Sequence, residues 1–189
     1  MAITTLNNRS INRSDTASAD QVWTATSATA SDFQAAAAGG KILQVVQATK
    51  TDTATIASAS FTDLGFSAAI TPSATTSKVF VLFSMMLSSE GGERAGIKLV
   101  RNSTDLLIGD TAGSRQRATH SVMSSGSAYA VPTVVSYLDS PSTTSETTYK
   151  IQAFCENSNN FNINTTETDA DTAAYSRGAS SVILMEVSV

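Results

Sequence analysis

Cysteine is nearly absent from this chain of 189 residues: Cys155 is the single example, which excludes an internal disulfide framework and leaves stability to packing or assembly. Histidine is as scarce, so any Ser-His-Asp or Cys-His site would have to use His120. Charge is thin too, at 15% of residues, with 12 basic side chains against 16 acidic ones and a net charge of -4. That balance gives no electrostatic footprint for duplex nucleic acid or an anionic membrane, and neither is expected as a partner. No apolar run approaches the roughly 18 residues of a spanning helix, and Met1-Ala2-Ile3-Thr4-Thr5 lacks a signal peptide's opening. The chain therefore reads as made in a cytoplasm, reaching any outside location as part of something larger. No internal repeat or heptad segment suggests a fibrous shaft.

What is present is strand. Residues 78–88 are rich in β-formers and lack the polar alternation of a half-solvated strand. Val79, Val81, Phe83, Met85 and Leu87 point one way and Phe80, Leu82 and Met86 the other, so both faces need cover. One face suits the domain's own core. The other, with Phe80, Leu82 and Met86, suits a second layer or a second subunit, because exposed antiparallel sheets normally show a polar side. On that ground a homotrimer is expected.

Residues 1–40 differ in kind from the rest. They are rich in Ser, Thr, Ala and Asn, with Ile3, Leu6, Ile11, Val22, Trp23 and Phe33 as scattered apolar anchors, too few for a core. An attachment arm is expected, its Ile3, Leu6, Ile11, Trp23 and Phe33 seated in recesses of a partner and its Arg9 and Arg13 paired with acidic groups there. Ser31-Asp32-Phe33-Gln34 has the spacing of a capping box ahead of an alanine run and Gly39-Gly40, which predicts a short helix.

From Lys41 the pattern becomes short strands between turn residues, 41–49, 60–71, 94–101, 106–108, 117–124, 130–138, 147–156 and 180–189 besides 78–88, with Phe161, Ile163 and Thr165 continuing the theme of 147–156. Phe61 is one residue out of phase with Leu64, Phe66, Ala68 and Ile70, which predicts a bulge or kink at 63–65. Pro132 argues for an edge strand or a strand start. The expected fold is an all-β antiparallel sandwich of eight or nine strands, jelly-roll-like, over residues 41–189.

Chemistry-bearing residues do not converge. His120 lies on a predicted strand, and Cys155 shares a strand face with Tyr149 and Ile151, as a small buried hydrophobe does. Glu167, Asp169 and Asp171 form an acidic loop without the glycine and further carboxylates of a calcium loop. Arg115 and Arg117 flank Gln116 and suit either a solvated edge or an anionic glycan. No catalytic residue, cofactor or metal site is expected, and the chain reads as a non-enzyme.

Several segments in series carry a resemblance: Gly39-Gly40-Lys41-Ile42-Leu43-Gln44-Val45-Val46-Gln47, Phe61-Thr62-Asp63-Leu64-Gly65-Phe66, Ile70-Thr71-Pro72-Ser73 running into Ser77-Lys78-Val79, Leu138-Asp139-Ser140-Pro141-Ser142-Thr143-Thr144, Thr148-Tyr149-Lys150-Ile151-Gln152, and Leu184-Met185-Glu186-Val187. This order resembles the small β-rich virion proteins of tailed bacteriophages, marine and cyanobacterial ones in particular, often labelled tail-fibre or structural proteins. Residues 15–34 resemble their attachment arm. The resemblance implies a non-enzymatic sandwich on the outside of a particle, commonly a homotrimer, with a major capsid or tail protein as partner. Two functions are then expected. The first is a capsid decoration or head-appendage protein; the alternative is a short tail fibre whose loops contact host surface glycans.

Overall fold

The structure, a computed structural model, describes residues 40–123 and 129–189, together with the backbone of 21–25 and 31–35. The chain divides into two units, Met1–Gly40 and Lys41–Val189. In the first, β1 (Gln21–Ala25) and β2 (Ser31–Ala35) form an antiparallel hairpin with Trp23 opposite Phe33. The helix predicted from Ser31 is therefore a strand. A capping box satisfies only the ends of a helix, worth about 0.5–2 kcal/mol, whereas the strand-forming Val22-Trp23-Thr24 offers a five-residue ladder. Ile3, Leu6, Arg9, Ile11 and Arg13 lie outside the described residues.

Among the described residues the second unit has eleven strands: β3 (Ile42–Lys50), β4 (Ala54–Ala57), β5 (Thr62–Ile70), β6 (Lys78–Ser89), β7 (Ala95–Arg101), β8 (Thr104–Leu106), β9 (His120–Val122), β10 (Val131–Asp139), β11 (Thr147–Cys155), β12 (Asn160–Ile163) and β13 (Ser180–Val187). All pairings are antiparallel. One sheet runs β10-β6-β13-β3, with β12 and β4 continuing from the far end of β6; the other runs β5-β11-β7, with β8 and β9 sharing the outer edge of β7. Numbered by the eight principal strands β3, β5, β6, β7, β9, β10, β11 and β13, the sheets read 1-8-3-6 and 2-7-4-5. That is the jelly-roll order of two Greek keys. The three further strands, β4, β8 and β12, are only three or four residues long; β8 and β12 overlap the strand character the sequence shows at 106–108 and 161–165, whereas β4 is too short to print a period of its own.

The inward phase of β6, Val79 to Leu87, is fully buried or nearly so and meets Leu64, Phe66, Ile70, Ile97, Leu99, Tyr149, Ile151 and Ala153 from the facing sheet. Phe83 and Phe66 cross between the layers edge to face at 5.4 Å. The predicted bulge is present. Pairing with β11 jumps between Lys150 and Gln152, and Gly65 sits there at a φ of 69°, a left-handed conformation suited to glycine. Asp63, turned outward by the bulge, accepts from Lys150 Nζ at 2.8 Å and Gln152 Nε2 at 2.7 Å. β10 is an edge strand and Pro132 is its second residue, so both alternatives that the proline offered are met. The strand expected at 106–108 instead ends at Leu106, because Leu107 adopts a positive φ of 49° that stops the ladder.

Three buried polar groups tie the layers and loops together. Asp139, at the end of β10, accepts from Tyr149 Oη at 2.7 Å and from Arg101 Nη1 at 2.8 and 3.0 Å, joining the two sheets. Burial and the adjacent carboxylate push the Tyr149 phenol well up. Asn164, in a left-handed conformation, donates to the carbonyls of Lys50 and Asp52 and accepts from Ser180 Oγ, pinning three connections. Glu186 continues the inward phase of Val182 and Leu184 and is 1% exposed.

Burial alone would raise the Glu186 carboxyl, but hydrogen bonds from Ser73, Ser77 and Gln44 outweigh it and bring it from 4.5 to about 2. A carboxylate held below its unfolded value stabilises the fold fully above that value, and the contribution disappears as pH falls through the folded one. Melting temperature should therefore drop between about pH 5 and pH 2, by an amount worth on the order of 2–3 kcal/mol from this residue. The Glu186→Gln variant should start lower at neutral pH and show a shallower acid slope. Parallel slopes in thermal melts at pH 5, 4, 3 and 2 would show that Glu186 is not the group responsible.

Candidate interaction surfaces

The outer face of the β10-β6-β13-β3 sheet is ordered by register. Leu138, Phe80, Met185 and Val45 stand opposite one another in a single row across all four strands. The next row is Ser136, Leu82, Ile183 and Gln47, and the one after it Val134, Ser84, Ser181 and Thr49. Apolar side chains thus gather in a band at one end of the face and hydroxyls at the other. Val45 is 57% exposed and Leu138 47%, while Phe80, Leu82, Ile183 and Met185 are half-buried by their neighbours on the sheet. No charged residue interrupts these three rows. Open sheet faces are ordinarily polar, and the apolar band departs from that pattern.

Of the three outward residues singled out on β6, Phe80 and Leu82 lie in this band. Met86 does not share their surroundings. A Cβ on Gly178 would fall 2.4 Å from Met86 Sδ and 3.2 Å from its Cβ, so the loop before β13 lies directly on Met86. That loop is held by Gly178 N–H donating to the Asn164 carbonyl and Asn164 N–H donating to the Met86 carbonyl. Met86 is covered by its own chain, a contact invisible in the sequence because the two residues are far apart along it.

Elsewhere the isolated candidates resolve individually. Cys155 is fully buried, and burial pushes its thiol up, away from the reactive thiolate. His120 is exposed on β9 opposite Ile97. In the acidic loop, Asp169 accepts from Arg177 Nε and Nη2, and the Arg177 hydrogen bond lowers its pKa. Among the described residues no group of three or more His, Cys, Asp or Glu is placed to hold a metal ion.

The two loop arginines have different fates. Arg117 Nε donates to the Gly109 carbonyl at 2.6 Å, and Gln116 Nε2 to the Ala59 carbonyl at 3.1 Å, latching the loop on both sides. Arg115 instead lines a cleft of about 850 Å³ with Arg94, Ser121, Phe154, Glu156 and Asn157. Arg94 is spent on Glu156 through bonds of 2.7 and 2.6 Å, which hold the Glu156 carboxyl below its usual range. The Arg115 guanidinium has no hydrogen-bond or ion-pair partner among the described residues. Phe154 is fixed between an edge contact with Phe61 at 4.8 Å and the bare backbone of Gly96, whose absent Cβ would lie 2.7 Å from the ring.

No protein-family model matches the chain, and no curated protein does. Among solved structures it is similar to a chain in the structure of the infectious bursal disease virus Gx strain, with 9% identity and a TM-score of 0.38. The likeness covers 87% of this chain and 44% of that one, so this chain spans less than half the length of its viral counterpart. A likeness this loose carries no function from one protein to the other.

Proposed function

We propose that the chain is a non-enzymatic structural protein of a virion surface, a capsid decoration or head-appendage protein of a tailed bacteriophage. Residues 1–40 act as the tether and residues 41–189 as the displayed sandwich, assembled as a homotrimer through the outer face of its larger sheet. The observation that carries this reading is the uncharged apolar row Leu138-Phe80-Met185-Val45 on a jelly roll, a surface that calls for a permanent neighbour. The architecture is one shared by viral capsid and lectin domains, which is an analogy of fold and not of site. The series of segments resembling phage virion proteins supplies the particle. The cleft at Arg115 and Phe154 favours the second reading, a short tail fibre or receptor-binding tip that touches host glycans.

Deletion of residues 1–39 tests the tether. The truncated protein should keep near-native melting and its trimeric state, because the core among the described residues lies within 41–189, and should no longer bind particles. Trp23→Ala in the full chain should weaken attachment by about 2 kcal/mol if it is an anchor. Full occupancy of particles by the truncated protein would instead make the sandwich the docking surface. Reconstruction of decorated particles separates the two readings: icosahedral repetition supports decoration, and density at the tail vertex supports the fibre.

A further inference from the structure

The cleft beside β7 and β9 has the parts of a saccharide subsite, and we propose that it binds a carboxylated sugar residue, of the uronic acid type, in a surface polysaccharide. The inference holds for a decoration protein as for a fibre tip, since it rests on the cleft and not on where the protein sits. Two arginines against one glutamate give its lining a net charge of +1 on a chain of net charge -4. Arg94 already has its carboxylate in Glu156. Arg115 has none among the described residues, and its planar fork matches a carboxylate through two parallel hydrogen bonds.

The loop that carries Arg115 is not free to fold the side chain away. Gln116 and Arg117 anchor it to the Ala59 and Gly109 carbonyls, and Arg115 N–H donates to the Ala112 carbonyl at 3.3 Å. Phe154 supplies the apolar wall. Its ring is positioned by Phe61 and by the room that Gly96 leaves, and Lys98 Nζ in turn caps the Phe61 ring at 4.2 Å. A pyranose offers one C–H face to such a ring while its hydroxyls meet Ser121, Asn157 and the Glu156 carboxylate. A cleft of about 850 Å³ lies within the range of ordinary small-ligand sites. A neutral sugar would leave Arg115 unused. A nucleic acid strand would need a track of cations that this acidic chain does not have.

Amide chemical shifts of the full-length protein should be followed during titration with methyl α-galacturonoside, methyl α-galactoside and sodium acetate in parallel. The acidic sugar should move the amides of Ala95, Ser121 and Asn157 and bind at least roughly tenfold tighter than the neutral one, the usual worth of a charged hydrogen bond. Arg115→Gln, on an exposed loop where folding is not at stake, should erase that preference. Phe154→Leu should weaken both sugars alike. Equal binding of the two sugars, no shifts at tens of millimolar, a preference that survives in Arg115→Gln, or shifts reproduced in full by acetate would each overturn the proposal. None of these outcomes bears on particle attachment, which is read separately from the arm deletion.

Discussion

Replacing Asp139 by alanine should destabilise the sandwich by about 3–5 kcal/mol, the usual cost of removing one partner of a buried ion pair. The change strips Tyr149, fully buried, of its hydrogen-bond acceptor and leaves the Arg101 guanidinium, only 22% exposed, without its carboxylate. Because Asp139 belongs to one sheet and Tyr149 and Arg101 to the other, the loss falls on the contact between layers. Tyr149→Phe removes one hydrogen bond but leaves the ion pair, and should cost about 1–2 kcal/mol. Chemical denaturation of the two variants beside the parent protein gives both values. If Asp139→Ala and Tyr149→Phe proved equally mild, the clasp would contribute position and not stability.

Phe80→Glu should convert the proposed trimer to monomer. A carboxylate in the middle of the apolar row would have to be desolvated without a partner in every subunit, at a cost of several kcal/mol each, whereas in the monomer it is half-exposed and costs little. Thr49→Glu, on the hydroxyl end of the same face, is the matched control and should leave assembly intact. Sedimentation velocity across a concentration series reads both. A Phe80→Glu protein that sediments like its parent would show that this face is not the subunit contact, and a parent that is itself monomeric at micromolar concentration would remove the trimer altogether.

The sequence announced what depends on alternation and hid what depends on distant meetings. The two phases of β6 were legible because twelve strand residues repeat the period often enough to be unambiguous. The bulge was legible too, since Phe61 broke a phase that Leu64 to Ile70 kept. At Ser31 a local rule lost to a nonlocal one: the capping spacing is real, but pairing with residues 21–25 decides the backbone. Glu186 carries a signal that the strand reading passes over, a charge on the inward phase of Val182 and Leu184. The partners, Ser73, Ser77 and Gln44, come from two other places in the chain. For the cleft, charge drew attention to Arg115 and Arg117 together. Only the fold separates the one that latches a loop from the one that faces the opening.

The position of β13 governs when this protein can fold. β13 lies between β3 and β6, so a strand from near the end of the described chain fills a slot in the middle of the larger sheet, pairing with residues 42–50 on one side and 78–84 on the other. Until residue 187 has been made, β3 has no neighbour in that sheet and β6 presents an open flank. The nascent chain cannot complete its core in stages, and the final closure joins segments separated by most of its length. Chains of that topology cross their folding barrier slowly, on the order of milliseconds to seconds. During that interval a flank of β3 and a flank of β6 are exposed together, and the newly made protein is at its most prone to pair with the wrong copy.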